Sequence, residues 1–102
     1  MAEVVWTKRA YFQLREIAEY IALDKPPAAE RLLQHAVLQA RQLGQFPNLG
    51  RRVPEIPRSA YRQLWVSPCW IYYRVAMHDG SVIILHVRRA ERPLRVEDLA
   101  IE

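Results

Sequence analysis

The chain has 102 residues, 51% hydrophobic and 25% charged, which fits one folded domain over 1–102 and leaves no room for a second core. Its formal charge of +4 and pI near 9.6 favour an acidic partner, either nucleic acid or an acidic protein. A single cysteine, Cys69, excludes an internal disulfide and a cysteine-rich zinc site, and no apolar run approaches the roughly 18 residues that span a membrane.

The opening residues lack the basic-then-apolar layout of a signal peptide, so a cytoplasmic protein is expected. A short β-prone run over 3–6 ends at Thr7, a suitable N-cap for a helix over about 8–23. Ala10, Leu14, Ile17 and Ile21 form its apolar stripe, widened by Tyr11 and Ala18. Asp24-Lys25-Pro26-Pro27 stops this helix and starts a second over about 27–43, with Ala29, Leu32, Leu33, Ala36, Ala40 and Leu43 facing inward. Gly44 stands where a left-handed C-cap is expected, and the short link makes an antiparallel hairpin over about 8–43.

Residues 45–60 carry three prolines and no sustained period. A connection of this length is either functional or a plain crossover from helices to sheet. Antiparallel strands are then read at 61–66, 70–77 and 81–89, with turns at Ser67-Pro68 and at His78-Asp79-Gly80. The tail, 91–102, mixes charge with Leu94, Val96, Leu99 and Ile101 and suits a short helix or an arm over the sheet.

Alternation sorts the strand residues by face. A three-residue turn at 78–80 sets 75 opposite 83, 73 opposite 85 and 71 opposite 87. Leu64 and Val66 then share a helix-facing side with Ile71, Tyr73, Val75, Ile83, Leu85 and Val87. The other side gathers Tyr61, Gln63, Trp65, Trp70, Tyr72, Arg74, Val82, Ile84, His86 and Arg88. Aromatics interleaved with arginines can stack on bases and hold phosphates, can form a groove for a partner protein, or can pair across strands under a folded-back tail.

The order strand–helix–helix–strand–strand–strand meets specific residues: Val4-Val5-Trp6-Thr7-x-x-Ala10, Leu14 with Ile17, Tyr20-Ile21 and Pro27-Ala28-Ala29. Phe46-Pro47-Asn48-Leu49-Gly50-Arg51 follows with Val53-Pro54-Glu55, then Tyr61-Arg62-x-Leu64-x-Val66, Ile71-x-Tyr73-Arg74-Val75, Val82-x-Ile84-Leu85-x-Val87 and Glu91-Arg92. Over about residues 4–95 this resembles the RelE/ParE toxin superfamily. The resemblance implies an α+β fold of βααβββ order, a four-stranded antiparallel sheet backed by a helical hairpin. It also implies a cognate antitoxin whose acidic or amphipathic segment wraps the toxin.

The superfamily divides into ribosome-dependent mRNA endonucleases, like RelE, and DNA gyrase poisons, like ParE. The endonucleases use no metal and need a base, cations for the developing phosphate charge, and an acid. Here Lys8 and Lys25, the only lysines, fall in the helical hairpin, no tyrosine follows Tyr73, and Trp70 takes the place of a strand arginine. A substitute set exists in His86 as base or acid, Arg74 and Arg88 as phosphate clamps and Glu91 as the second proton-transfer group. A gyrase poison, which stabilises the plasmid that carries it and inhibits growth when unopposed, needs only a gripping surface. Arg88, Arg89, Arg92 and Arg95 offer one. Tyr61, Trp65, Trp70, Tyr72, Arg74 and His86 form the candidate antitoxin-binding face. No cofactor and no metal are called for on either reading, and a non-toxic antitoxin-binding module is the remaining alternative.

Overall fold

A computed structural model describes residues 1–100, apart from the side chain of Ala100. Thr7 caps the first helix as expected: its Oγ1 accepts from Ala10 N at 3.2 Å and donates to Ile84 O at 2.9 Å. That helix, α1, spans Lys8–Ala22 and follows strand β1, Val4–Trp6. It buries Ala10, Leu14 and Ala18, while Ile17 and Ile21 pack at the margin and Tyr11 stays exposed. Helix α2, Pro26–Gln45, buries Ala29, Leu32, Ala36, Ala40 and Leu43, but Leu33 lies on the outer flank.

Gly44 is not a left-handed cap. It lies inside α2, and its need is steric: a Cβ there would come within 2.8 Å of the carbonyl oxygen of Ala2, whose N–H donates to Gly44 O. Among the described residues Gly80 is the one with positive φ, at 74°.

The sheet has five strands rather than the four expected, in the order β1-β5-β4-β3-β2, with β2 at Arg51–Arg52, β3 at Arg62–Val66, β4 at Cys69–Val75 and β5 at Val82–Arg89. Strands β2 to β5 form an antiparallel meander. Strand β1 instead runs parallel to β5, pairing Val4 with Val82 and Trp6 with Ile84, so the sheet is mixed. This corrects the expectation of a wholly antiparallel sheet: alternation of side chains carries no signal for the direction of an edge strand. Helix α1 packs on α2 and on β5, α2 also reaches β1 and β3, and a short helix α3, Glu97–Ala100, lies against β5. Ile101, counted among the tail's apolar residues, lies outside the described residues.

The expected register holds for half of the β4–β5 pair and shifts for the other half. Ile71 pairs with Val87 and Tyr72 with His86, as the alternation predicts, but Tyr73 then pairs with Ile84 and Val75 with Val82. The loop is four residues long, closed by Ala76 N to Ser81 O at 2.7 Å, and a bulge at Leu85 takes up the extra residue. A bulge reverses which side chains face inward beyond it. Val82 and Ile84, assigned above to the far face, therefore join the core under the helices with Ile71, Tyr73 and Val87. Ile83 and Leu85 leave that cluster, although Leu85 is still buried.

The far face is not bare. Val53, Tyr72 and Leu99 form a second buried cluster there, packed by Ile56, Tyr61, Trp70 and Leu94. The connection after α2 and the tail after β5 thus both fold over the sheet.

Candidate functional site

Residue Tyr73 fixes the start of the long connection. Its hydroxyl donates to Pro47 O at 2.6 Å and accepts from Gly50 N at 2.9 Å, while Arg62 Nη1 donates to Gly50 O at 2.7 Å. Gly50 is required by closeness: a Cβ would meet Gln63 O at 2.7 Å and the Tyr73 ring at 2.8 Å. This anchoring sends the chain along the sheet edge as β2 and places Arg51 opposite Gln63 on the far face.

The predicted row of Gln63, Tyr72 and His86 forms across three strands. All three residues are buried, so Tyr72 and His86 are not part of an exposed face as expected. The tail and the connection cover them, which is the folded-back arrangement that the aromatic pairing allowed. Gln13 on α1 sets the state of His86. Its Oε1 accepts from Val87 N at 2.8 Å, which turns its amide nitrogen to His86 Nδ1 at 3.1 Å. The amide can only donate there, so Nδ1 accepts and the imidazole proton sits on Nε2. Nε2 lies 3.8 Å from Asp98 Oδ2. Burial pushes the His86 pKa down to about 4; Asp98 opposes this, and Arg9 and Arg88 add to it.

Asp98 is the hub that holds the tail. Besides His86, its Oδ1 lies 3.6 Å from Arg9 Nη2, its Oδ2 accepts from Arg95 N at 3.1 Å, and its backbone oxygen accepts from Arg9 Nη1 at 2.6 Å. Neither Gln13 nor Asp98 was singled out from the sequence. No spacing rule links them to His86, because they arrive from α1 and from the tail.

The arginines at the end of β5 are not equivalent. Arg88 donates from Nε to the Tyr72 hydroxyl at 2.8 Å and from Nη1 to the carbonyls of Arg89, Ala90 and Arg92. It is a brace for the turn after β5. Arg89 lies over the Tyr20 ring at 5.5 Å, and its Nε sits 3.1 Å from Glu91 Oε2 without hydrogen-bond alignment. Arg92 and Arg95 are exposed. Between α1 and this turn runs a cleft of about 630 Å³ lined by Glu16, Tyr20, His86, Arg89, Arg92 and Asp98 among others. Its mixed charge distinguishes it from a purely cationic phosphate cradle. The set Arg74, His86, Arg88 and Glu91 is therefore split: His86 is buried, Arg88 is engaged in the turn, Glu91 pairs outward with Arg89, and Arg74 is half-buried on β4.

The open part of the far face lies at the other edge. Trp65 and Trp70 pair directly across β3 and β4 with ring centroids 5.0 Å apart. Arg51 lies over the Trp70 ring at 5.0 Å. With the Gln63 amide oxygen turned towards it, Arg51 also donates from Nε at 3.1 Å and from Nη2 at 3.0 Å. Trp65 is 45% exposed, Trp70 and Tyr61 are half-buried. Sequence reasoning grouped Trp65 with Trp70 but missed Arg51, because β2 is only two residues long and has no readable period. Among the described residues no group of three or more His, Cys, Asp or Glu is placed to hold a metal, and no helix is long and apolar enough to cross a membrane.

Comparison with known proteins agrees with this architecture. The family model described as the ParE toxin of the type II toxin–antitoxin system parDE matches residues 4–94. Toxin RelE2 of Caulobacter vibrioides is 36% identical over 92 residues, spanning 90% of this chain and 99% of that relative. Among solved structures, the chromosomal ParDE toxin–antitoxin system from P. aeruginosa superposes with a TM-score of 0.72 at 28% identity, covering 89% of this chain and 98% of the other. The toxin–antitoxin complex RelBE2 from Mycobacterium tuberculosis shares the fold, with a TM-score of 0.64, 21% identity and coverage of 86% and 96%. With a hairpin-backed five-stranded sheet and a family match across nearly its whole length, the chain belongs to the ParE toxin family of type II toxin–antitoxin systems.

Proposed function

We propose that this toxin acts as a ParE-like poison of DNA gyrase, kept silent by a cognate antitoxin, and that it stabilises the replicon carrying it by inhibiting growth when the antitoxin is lost. The observation that carries this reading is the engagement of the candidate nuclease groups. His86 is buried, its Nδ1 is occupied by Gln13, and its pKa near 4 makes it a weak base at neutral pH. Arg88 braces a turn and cannot also clamp a phosphate in its present conformation. A gyrase poison asks for neither group to be free. The similarity to a ParDE system and to the ParE family model supports the same target class and the antitoxin partner. Arg92 and Arg95, exposed at the end of β5 and in the tail, are the members of the arginine cluster assigned to the target, with Arg88 and Arg89 shaping the turn that carries them. Target and antitoxin both place the action in the cytoplasm.

The test is a supercoiling and cleavage assay with purified gyrase. Inhibition of supercoiling with accumulation of the cleaved enzyme–DNA complex is the expected result, relieved by the cognate antitoxin. Unchanged gyrase activity overturns the proposal. Cutting of translated mRNA on induction, abolished by His86→Ala or Glu91→Ala, would replace it with the ribosome-dependent nuclease. Unimpeded growth would replace it with a non-toxic antitoxin-binding module.

A further inference from the structure

The chain's excess charge is localised in a way the family match does not address. Residues 51–75 hold five arginines, Arg51, Arg52, Arg58, Arg62 and Arg74, against Glu55 alone, which equals the whole formal charge of +4. Elsewhere ten lysines and arginines balance ten carboxylates. The tail cluster that first draws attention is nearly neutral, with Arg88, Arg89, Arg92 and Arg95 beside Glu91, Glu97 and Asp98. A polyanion would thus be drawn to the β2–β4 side of the sheet rather than to the end of β5.

On that side the Trp65–Trp70 pair meets the charge. Trp70 is held from both flanks, by Trp65 at 5.0 Å and by the Arg51 guanidinium at 5.0 Å, and it packs on the buried Val53–Tyr72–Leu99 cluster. It is a fixed floor. Trp65 stands at its edge with nearly half its surface in solvent. Gln63 holds Nε and Nη2 of Arg51, which leaves Nη1 as the guanidinium nitrogen without a described partner. Arg58 is exposed on the connection that follows β2, whereas Arg52 alternates away from Arg51 and donates from Nη1 to Ser59 O at 3.0 Å. An acidic carboxylate side chain would use the charge but has no ring to lay on the indole. An unpaired base gains both, because its ring stacks on the indole while its phosphates reach the arginines. Duplex bases are already stacked on one another and cannot use Trp65 in this way.

We propose that the edge formed by Arg51, Trp65 and Trp70, with Arg58 on the connection that follows, is a binding platform for single-stranded nucleic acid, in which a base stacks on Trp65 and the flanking phosphates sit on the arginines. The platform is distinct from the gyrase reading and does not depend on it.

Anisotropy of a fluorescein-labelled 12-nucleotide single strand titrated with the purified full-length protein tests the proposal without gyrase present, so either reading can fail alone. The single strand is expected to bind more tightly than a duplex of the same length and to quench tryptophan emission. Trp65→Ala should weaken binding about five- to a hundredfold, the range of one lost base stack, and Trp65→Phe should restore most of it. Arg51→Gln should make the logarithmic salt dependence shallower by about 0.7, the value of one phosphate contact on a single strand. Thermal melts of each variant establish that the fold is retained, and the Phe variant serves if the Ala variant does not fold. Absence of binding, equal binding of duplex, or affinity for the single strand unchanged by Trp65→Ala in a folded protein each overturns the platform. Competition by an oligoglutamate peptide that is itself weakened by Trp65→Ala would reassign the surface to an acidic protein.

Discussion

Burial holds the His86 imidazole neutral down to about pH 4, whereas in an unfolded chain the same ring charges near 6.5. Between those values the unfolded state binds the extra proton, so stability is complete above 6.5 and falls as pH drops towards 4, by about 3 kcal/mol in all. Denaturant unfolding at pH 7 and at pH 4.5 should show this loss, and His86→Gln should flatten its slope. A slope unchanged in the variant would assign the pH dependence to the carboxylates instead. At the same scale Tyr73→Phe strips Gly50 N of its acceptor and Pro47 O of its donor, and should cost about 1–3 kcal/mol by equilibrium unfolding. The sequence placed His86, Tyr72 and Gln63 in one row correctly, because cross-strand alternation reaches that far. It was silent on Gln13 and Asp98, since contacts between separate layers leave no period in a linear chain.

Within elements, helix starts were the more legible features, and the end of α2 and the sheet geometry the less. Thr7 was readable as a cap because a side-chain oxygen one step before an apolar stripe has one common use. Thr7→Ala should lower stability by about 1 kcal/mol or slightly more, since the hydroxyl also bridges to Ile84 O, and thermal melting will measure it. The bulge at Leu85 was not readable: each of Val82, Ile83, Ile84 and Leu85 is apolar, so alternation had no contrast with which to locate the extra residue. The loop before it depends on Gly80 at φ 74°, where a Cβ would meet nothing within 4 Å. Gly80→Ala should therefore cost only the backbone term, about 1–2 kcal/mol, with the register intact. A larger loss, with altered β4–β5 cross-peaks by NMR, would mean that the turn and the bulge are set together.

Across the whole molecule two layers became three. Helices cover one face of the sheet as the apolar pattern dictated, but the second face is closed by pieces with no regular period, the connection through Val53 and Ile56 and the tail through Leu94 and Leu99. Truncation after Arg92 removes Leu99 and the Asp98 contacts to Arg9 and His86. The loss of buried leucine alone is about 1.5–3 kcal/mol, and the truncated chain should melt earlier and bind a hydrophobic dye. Unaltered melting would mean that the tail rests on the sheet without stabilising it.

The parallel pairing of β1 with β5 has a consequence for the order in which the molecule is made. Val4 leaves the ribosome ahead of the helices and the other strands, yet its ladder partner, Val82, follows only after all of them but β5. The α1–α2 hairpin is local and closes early, while β1 must wait through the entire meander for its neighbour. A nascent copy therefore carries helices without a sheet until the meander has been made, and the finished surface, including any face that grips a target, comes into being only once β5 has followed.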